Sequence, residues 1–192
     1  MLVVMITPQE TEAALAAGGL ACPVCSAALS PWGFARSREV RLRHEVRSVR
    51  LRRARCRECE ATHVLSASWL IPRRRDASMV IGEALHLAAC GAGHRTIARQ
   101  LGRPPGTVRG WLRAARVRAE VLRACATRWT YCLDPEQSAV TPAESALADA
   151  VEAIMLAVRA WVLRFGLSEI EPWERAVCLT GGLLHGRPPL PP

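Results

Sequence analysis

The sequence predicts a mainly α-helical protein carrying one small β ribbon, and three observations predict it. Two Cys-x-x-Cys pairs, Cys22-Pro-Val-Cys25 and Cys56-Arg-Glu-Cys59, stand thirty residues apart. Between them Val40, Leu42, His44 and Val46 alternate with Arg41, Arg43, Glu45 and Arg47, the period of a strand. From residue 76 onward the apolar residues recur at i, i+3 and i+4, the period of a helix. The expected architecture is a β zinc ribbon, a trihelical helix-turn-helix followed by a long helix, and a C-terminal helical hairpin. In residues this gives an N-terminal segment 1–20, a ribbon 21–71, a helix-turn-helix with extended second helix 76–130, a helical region 141–180 and a flexible tail 181–192.

Half of the 192 residues are apolar, enough to bury a core, and all 26 cations are arginine. The net charge of +9 is unevenly placed: residues 1–128 hold 22 Arg against 9 acidic residues, and 129–192 hold 4 against 8. A basic front suits a polyanion and an acidic back suits packing or a partner. The front lacks the broad apolar face of an interfacial helix, which disfavours a membrane surface. Met1-Leu-Val-Val-Met-Ile6 is too short for a secretory core, and no charge-free apolar run reaches 18 residues. The expected location is cytoplasmic, with the nucleoid as the site of action. There, eight Cys are not expected to form a disulfide frame.

Thr7-Pro8-Gln9-Glu10 reads as a capping box that opens a short helix ending at Gly18-Gly19. The two cysteine knuckles follow, expected to meet when a hairpin lies between them. Cys22, Cys25, Cys56 and Cys59 then offer four thiolates at tetrahedral distance to one structural Zn2+, leaving no position for a catalytic water. His63 is a candidate to substitute in that shell, and is more simply an exposed strand residue. Eight arginines between Arg41 and Arg57 either touch phosphate or only keep the ribbon soluble. Ile71-Pro-Arg-Arg-Arg75 is a linker arm, with Arg74 expected on phosphate. Asp76 is expected to cap the next helix, which closes at Gly91-Ala-Gly93.

The run from His94 to Arg113 organises the rest. Ile97, Ala98 and Leu101 share one face and Val108, Trp111 and Leu112 another, with a hinge at Leu101-Gly102-Arg103 and Pro104-Pro105 suited to a helix start. That is the pattern of a helix-turn-helix whose second helix enters the major groove. Gly106, Thr107, Arg109 and Arg113 are expected at the bases, and Arg95 and Arg99 at phosphate. No acidic residue occurs from His94 to Ala119, which favours DNA over a helical hairpin with solvated arginines. The seam Val108, Leu112, Ala115, Ala119, Leu122, Ala126, Trp129 carries this helix to about Thr130. After a linker at Tyr131–Val140, Thr141-Pro-Ala-Glu144 opens a helix to Gly166 with its own seam of Leu147, Val151, Ile154, Val158, Trp161 and Phe165. Two such seams are expected to pair across a homodimer, or alternatively within one chain. Glu171-Pro-Trp-Glu174 begins a last short helix.

Cys-Pro-Val-Cys…Cys-Arg-Glu-Cys, the arginine arm and His-Arg-Thr-Ile-Ala-Arg-Gln-Leu-Gly-Arg-Pro…Thr-Val-Arg-Gly-Trp-Leu-Arg together resemble the zinc-ribbon plus helix-turn-helix front end of bacterial insertion-sequence transposases. They are similar also to related uncharacterised zinc-ribbon proteins of high-GC actinobacteria. The resemblance spans roughly residues 20–120. In such transposases it implies a following ribonuclease-H-like domain with three metal-binding carboxylates. About seventy residues follow here, with no strand-borne acidic triad. The expected function is therefore sequence-preferring binding of double-stranded DNA, transposon-derived or transcription-regulatory, with no catalytic residue and no small-molecule substrate. The alternatives are an RNA-binding zinc protein and a protein-interaction adaptor. RNA readers present stacking aromatics, and this front half offers Trp32, Phe34, Trp69 and Trp111.

Overall fold

The computed structural model describes residues 2–4, 8–137, 142–166 and 170–184. The capping residues expected at Thr7 and Thr141, and most of the expected tail, lie outside them. About half of the chain is helical, in six helices among the described residues, beside a small, mostly antiparallel sheet.

Strands β1 (Leu2–Val4), β6 (Thr62–Ala67), β5 (Arg52–Cys56) and β2 (Leu29–Phe34) form one sheet in that order, with β1 parallel to β6 and the other pairs antiparallel. Helix α1 (Pro8–Ala16) covers one face, where Leu15, Leu29, Ala54 and Leu65 are buried around Cys22 and Cys56. Strands β3 (Arg38–Arg41) and β4 (Val46–Val49) form a separate two-stranded sheet. Its Val40 is buried against Leu70 and Ala77, beside the start of the helices.

The alternation between the knuckles therefore belongs to β3, a turn at 42–45 and β4, while the β2–β5 pair brings the knuckles together through Leu29 opposite Cys56. This corrects the expectation of one hairpin serving both purposes.

Helix α2 (Ser78–Ala89) begins after Ala77, whose extended backbone occupies the cap position with no side-chain hydrogen bond. Asp76 does not cap the helix as expected. It is 1% exposed, with Arg41 Nη2 and Arg103 Nε each 2.7 Å from one of its oxygens. Helix α3 (His94–Leu101) ends at Gly102, left-handed at φ 62°, where the Gly102 and Arg103 N–H groups close on the Arg99 and Ala98 carbonyls. Helix α4 (Pro105–Leu133) starts on Pro105 and runs 29 residues.

Ile97, Ala98, Leu101, Val108, Trp111 and Leu112 are all buried against Val80, Ile81, Ala84 and Leu85 of α2. Helix α5 (Ala146–Phe165), capped by the Ser145 hydroxyl accepting from Ala148 N–H, lies along α4. Leu112, Ala115, Ala119, Leu122 and Ala126 meet Leu147, Val151, Ile154 and Val158 in one core. The two seams thus satisfy each other within the chain, the alternative that the sequence left open. Helix α6 (Pro172–Thr180) closes the core with Ala176, Val177 and Leu179.

Candidate metal centre and nucleic-acid face

Each knuckle is a tight turn with the same backbone. Ser26 and Glu60 follow the second cysteine of each pair, and both are left-handed, at φ 62° and 58°. The first cysteine's N–H is bonded across the turn in both: Cys22 N–H to Ala27 O at 2.7 Å and Cys56 N–H to Ala61 O at 3.0 Å. Such turns gather the four sulfurs within 4.8 Å of one another. The cross-knuckle pairs Cys22–Cys59 and Cys25–Cys56 are 3.6 and 3.4 Å apart. A tetrahedron of thiolates ~2.3 Å from a central ion has edges of ~3.8 Å, so the four residues fit one metal ion.

Cys22 and Cys56 are buried, while Cys25 and Cys59 face solvent. Crowded thiols share protons unequally. The Cys59 N–H holds the Cys56 thiol down to about 7. The Ala61 N–H favours the Cys59 thiolate, but local desolvation among the crowded sulfurs and the thiols of Cys25, Cys22 and Cys56 outweigh it and push Cys59 up to about 12.

His63, expected at the surface, is 6% exposed on β6, with Nε2 3.4 Å from Cys22 Sγ. Burial lowers its pKa and favours the neutral ring. As Nε2–H donor it would orient the Cys22 thiolate from outside the four-sulfur set. Its position opposite Ala54 on the covered face of the sheet determines this, and the alternation Thr62, His63, Val64, Leu65 contained the signal.

The residues expected at DNA fall on α3 and the first turns of α4. Arg95 and Arg99 are exposed on α3; Gly106, Arg109 and Arg113 are exposed on α4, and Thr107 is half-buried. A Cβ at Gly106 or Gly110 would meet nothing within 4 Å among the described residues, so none of them requires glycine at either place. Arg74 stands apart: it is half-buried before α2, its carbonyl accepting from Arg38 Nη1 at 3.2 Å.

The arginines divide by partner. Of the eight between Arg41 and Arg57, five hold carboxylates: Arg41 with Asp76, Arg43 with Glu83, Arg47 with Glu45, Arg52 with Glu12 and Arg55 with Glu60. Arg95, Arg99, Arg109 and Arg113 have no ion pair among the described residues. The Asp76 junction itself escaped sequence reading, because Arg41 and Arg103 are distant in sequence and no local pattern joins them to it.

No helix among the described residues is long and apolar enough to cross a membrane. No curated protein and no solved structure matches the chain. Residues 22–100 match the family model of a domain of unknown function, DUF6431. The chain is thus similar to that family over the four cysteines, the β3–β4 hairpin, α2 and all but the end of α3, while α4 to α6 lie beyond the matched stretch.

Proposed function

We propose that this protein binds double-stranded DNA with a sequence preference, without catalysis, through α3 and α4 acting as a helix-turn-helix. The observation that carries the reading is the outward face of α3 and the first turns of α4, where four exposed arginines have no carboxylate partner among the described residues. Gly106 and Gly110 lie one turn apart among them, with open space above both. At Gly110, inside the helix, glycine costs roughly 0.5–1 kcal/mol relative to alanine. A duplex approaching the helix backbone gives a reason for that cost which the chain's own packing does not. Thr107, Arg109 and Arg113 would then face base edges, with Arg95 and Arg99 on phosphates. Arg74, half-buried, is left at most a backbone contact.

In this reading the four cysteines hold zinc, since a closed set of thiolates suits that ion in a structural role. The small sheet is then a zinc ribbon that braces the helical unit. The resemblance to transposase front ends supports a transposon-derived or regulatory protein, acting in the cytoplasm on the nucleoid. With the α4–α5 seam closed, one chain is the proposed binding unit, and a homodimer would need another surface.

The RNA reading rests on Trp32 and Phe34, 48% and 46% exposed on β2. Arg55 stacks on Trp32 at 4.7 Å, and Arg52 and Arg50 on Phe34 at 4.6 and 5.1 Å. Pro31 and Phe34 pair with Ala54 and Arg52 across a bulge, which sets Trp32 and Phe34 on opposite faces of the sheet. They form no common platform for successive bases, so duplex DNA is the better reading.

The test is selection from a random duplex pool by zinc-loaded protein, then affinity measured against salt. A shared sequence among the selected duplexes and a steep negative salt slope are expected. Equal, weak retention of all sequences at low salt would reject the reading.

A further inference from the structure

The β3–β4 hairpin is tied to the helices at several points. Arg41 N–H donates to Arg75 O at 2.6 Å, and Ala77 N–H to Arg41 O at 3.0 Å. The Arg41 and Arg103 guanidiniums share the Asp76 carboxylate. Arg103 also donates through Nη2 to Leu42 O, and Arg43 pairs with Glu83 of α2. Asp76 is 1% exposed, so losing either guanidinium would leave a buried polar group short of a partner. The hairpin is therefore held in fixed register with the α3–α4 turn.

Arg103 stands two residues before Pro105, where α4 begins. Arg103 and His44 line the same shallow cleft. The hairpin turn thus borders the α3–α4 turn, from which α4 leads on to Gly106, Thr107 and Arg109. Its tip is exposed from His44 to Ser48. Residues 36–50 contain six arginines against two glutamates. Among the described residues Arg47 pairs with Glu45 alone, and their side chains are 57% and 51% exposed. Such a solvated pair binds weakly, leaving Arg47 able to exchange Glu45 for a phosphate.

We propose that the tip of the β3–β4 hairpin is a second DNA-contacting element, with His44 and Arg47 holding the sugar–phosphate backbone beside the groove that α4 enters. This rests on the DNA-binding reading above and names a surface outside the helices. Backbone rather than bases is the target, because the tip offers hydrogen-bond donors and positive charge but no rigid helix to place a side chain on a base edge. The fixed attachment lets the tip bind without ordering a loose arm.

The test compares wild type, the double variant His44→Ala with Arg47→Ala, and Arg109→Ala on a duplex enriched from a random pool by the wild-type protein. Both hairpin positions are solvent-exposed, so the double variant should melt with the wild type. It should weaken all sequences alike, flatten the logarithmic salt slope by about one to two, and lose hydroxyl-radical protection along one flank of the site. An unchanged slope and footprint, with Arg109→Ala still losing sequence preference, would overturn the hairpin contact and leave the DNA-binding reading standing. Failure of the wild type to enrich or retain any duplex at low salt would overturn both.

Discussion

Gly82 of α2 lies against the indole of Trp173 on α6, so closely that a methyl group at Gly82 would fall 2.0 Å from the ring carbon Cδ2. Gly82 is buried and Trp173 is half-buried against the same core, so moving the ring aside costs it core contacts. Gly82→Ala should gain up to about 1 kcal/mol of helix propensity and lose about 1–3 kcal/mol to overpacking. A net fall in melting temperature is expected. In Trp173→Ala the same change should become neutral or stabilising, and a double-mutant cycle by thermal unfolding measures that reversal.

Metal analysis should give one zinc per chain, lost in Cys56→Ser. Removal by a chelator should melt the small sheet while most of the helical signal persists, since the α2–α6 core contains no metal-site residue. His63→Ala should keep the stoichiometry and weaken zinc affinity about 10-fold or more, as the Cys22 sulfur loses its Nε2 neighbour. An unchanged affinity in competition with a chromophoric chelator would remove His63 from the site.

Arg109→Ala should cost roughly 1–3 kcal/mol at the preferred duplex and relax its sequence preference. Arg99→Ala should weaken every duplex alike and reduce the salt slope by about one. Identical behaviour of the two variants in a binding titration would mean that α4 is not the reading helix.

Glu174 accepts a hydrogen bond from Ser68 Oγ at 2.9 Å, yet its pKa is raised because burial disfavours the charged carboxylate. A carboxyl group raised on folding binds its proton more tightly in the native state. Its effect on stability is therefore most favourable below the ordinary value of 4.5 and is lost as pH rises through the raised one. Glu174→Gln should flatten that part of the stability curve and raise the neutral-pH melting temperature. A parallel pair of curves from pH 4 to 8 would show that Glu174 is not the group responsible.

The α4–α5 seam is filled within the chain, so sedimentation at micromolar concentration should find a monomer. Val158→Glu should lower the melting temperature without changing the mass. A concentration-dependent dimer that Val158→Glu dissociates would place this seam between chains.

The helices were legible because their evidence is local: the stripe Ile97, Ala98, Leu101, the left-handed Gly102 and Pro104-Pro105 each specify a short stretch independently. The cysteine cluster was legible for a similar reason, its spacing being repeated twice. Strand β2 was not, because Leu29-Ser-Pro-Trp-Gly-Phe34 contains a proline and a glycine and occupies a sheet edge with a bulge. Asp76 looked like a helix cap because that is the usual role of an aspartate just before an apolar run. Two arginines brought near by tertiary folding claimed its carboxylate instead. His63 was misread as exposed for want of knowing which face of β6 was covered.

Helix α4 is one unbroken rod of 29 residues, about 43 Å long at 1.5 Å per residue. Its middle is packed along α5, and its first turns, with Arg109 facing outward, are packed on α2 and α3. Ala115 and Ala119 are buried where α4 meets α5, so a larger side chain at either must shift the rod against its neighbours along its whole length. If α4 is the reading helix proposed above, enlarging either alanine should therefore change duplex affinity by displacing Arg109 rather than by touching the duplex.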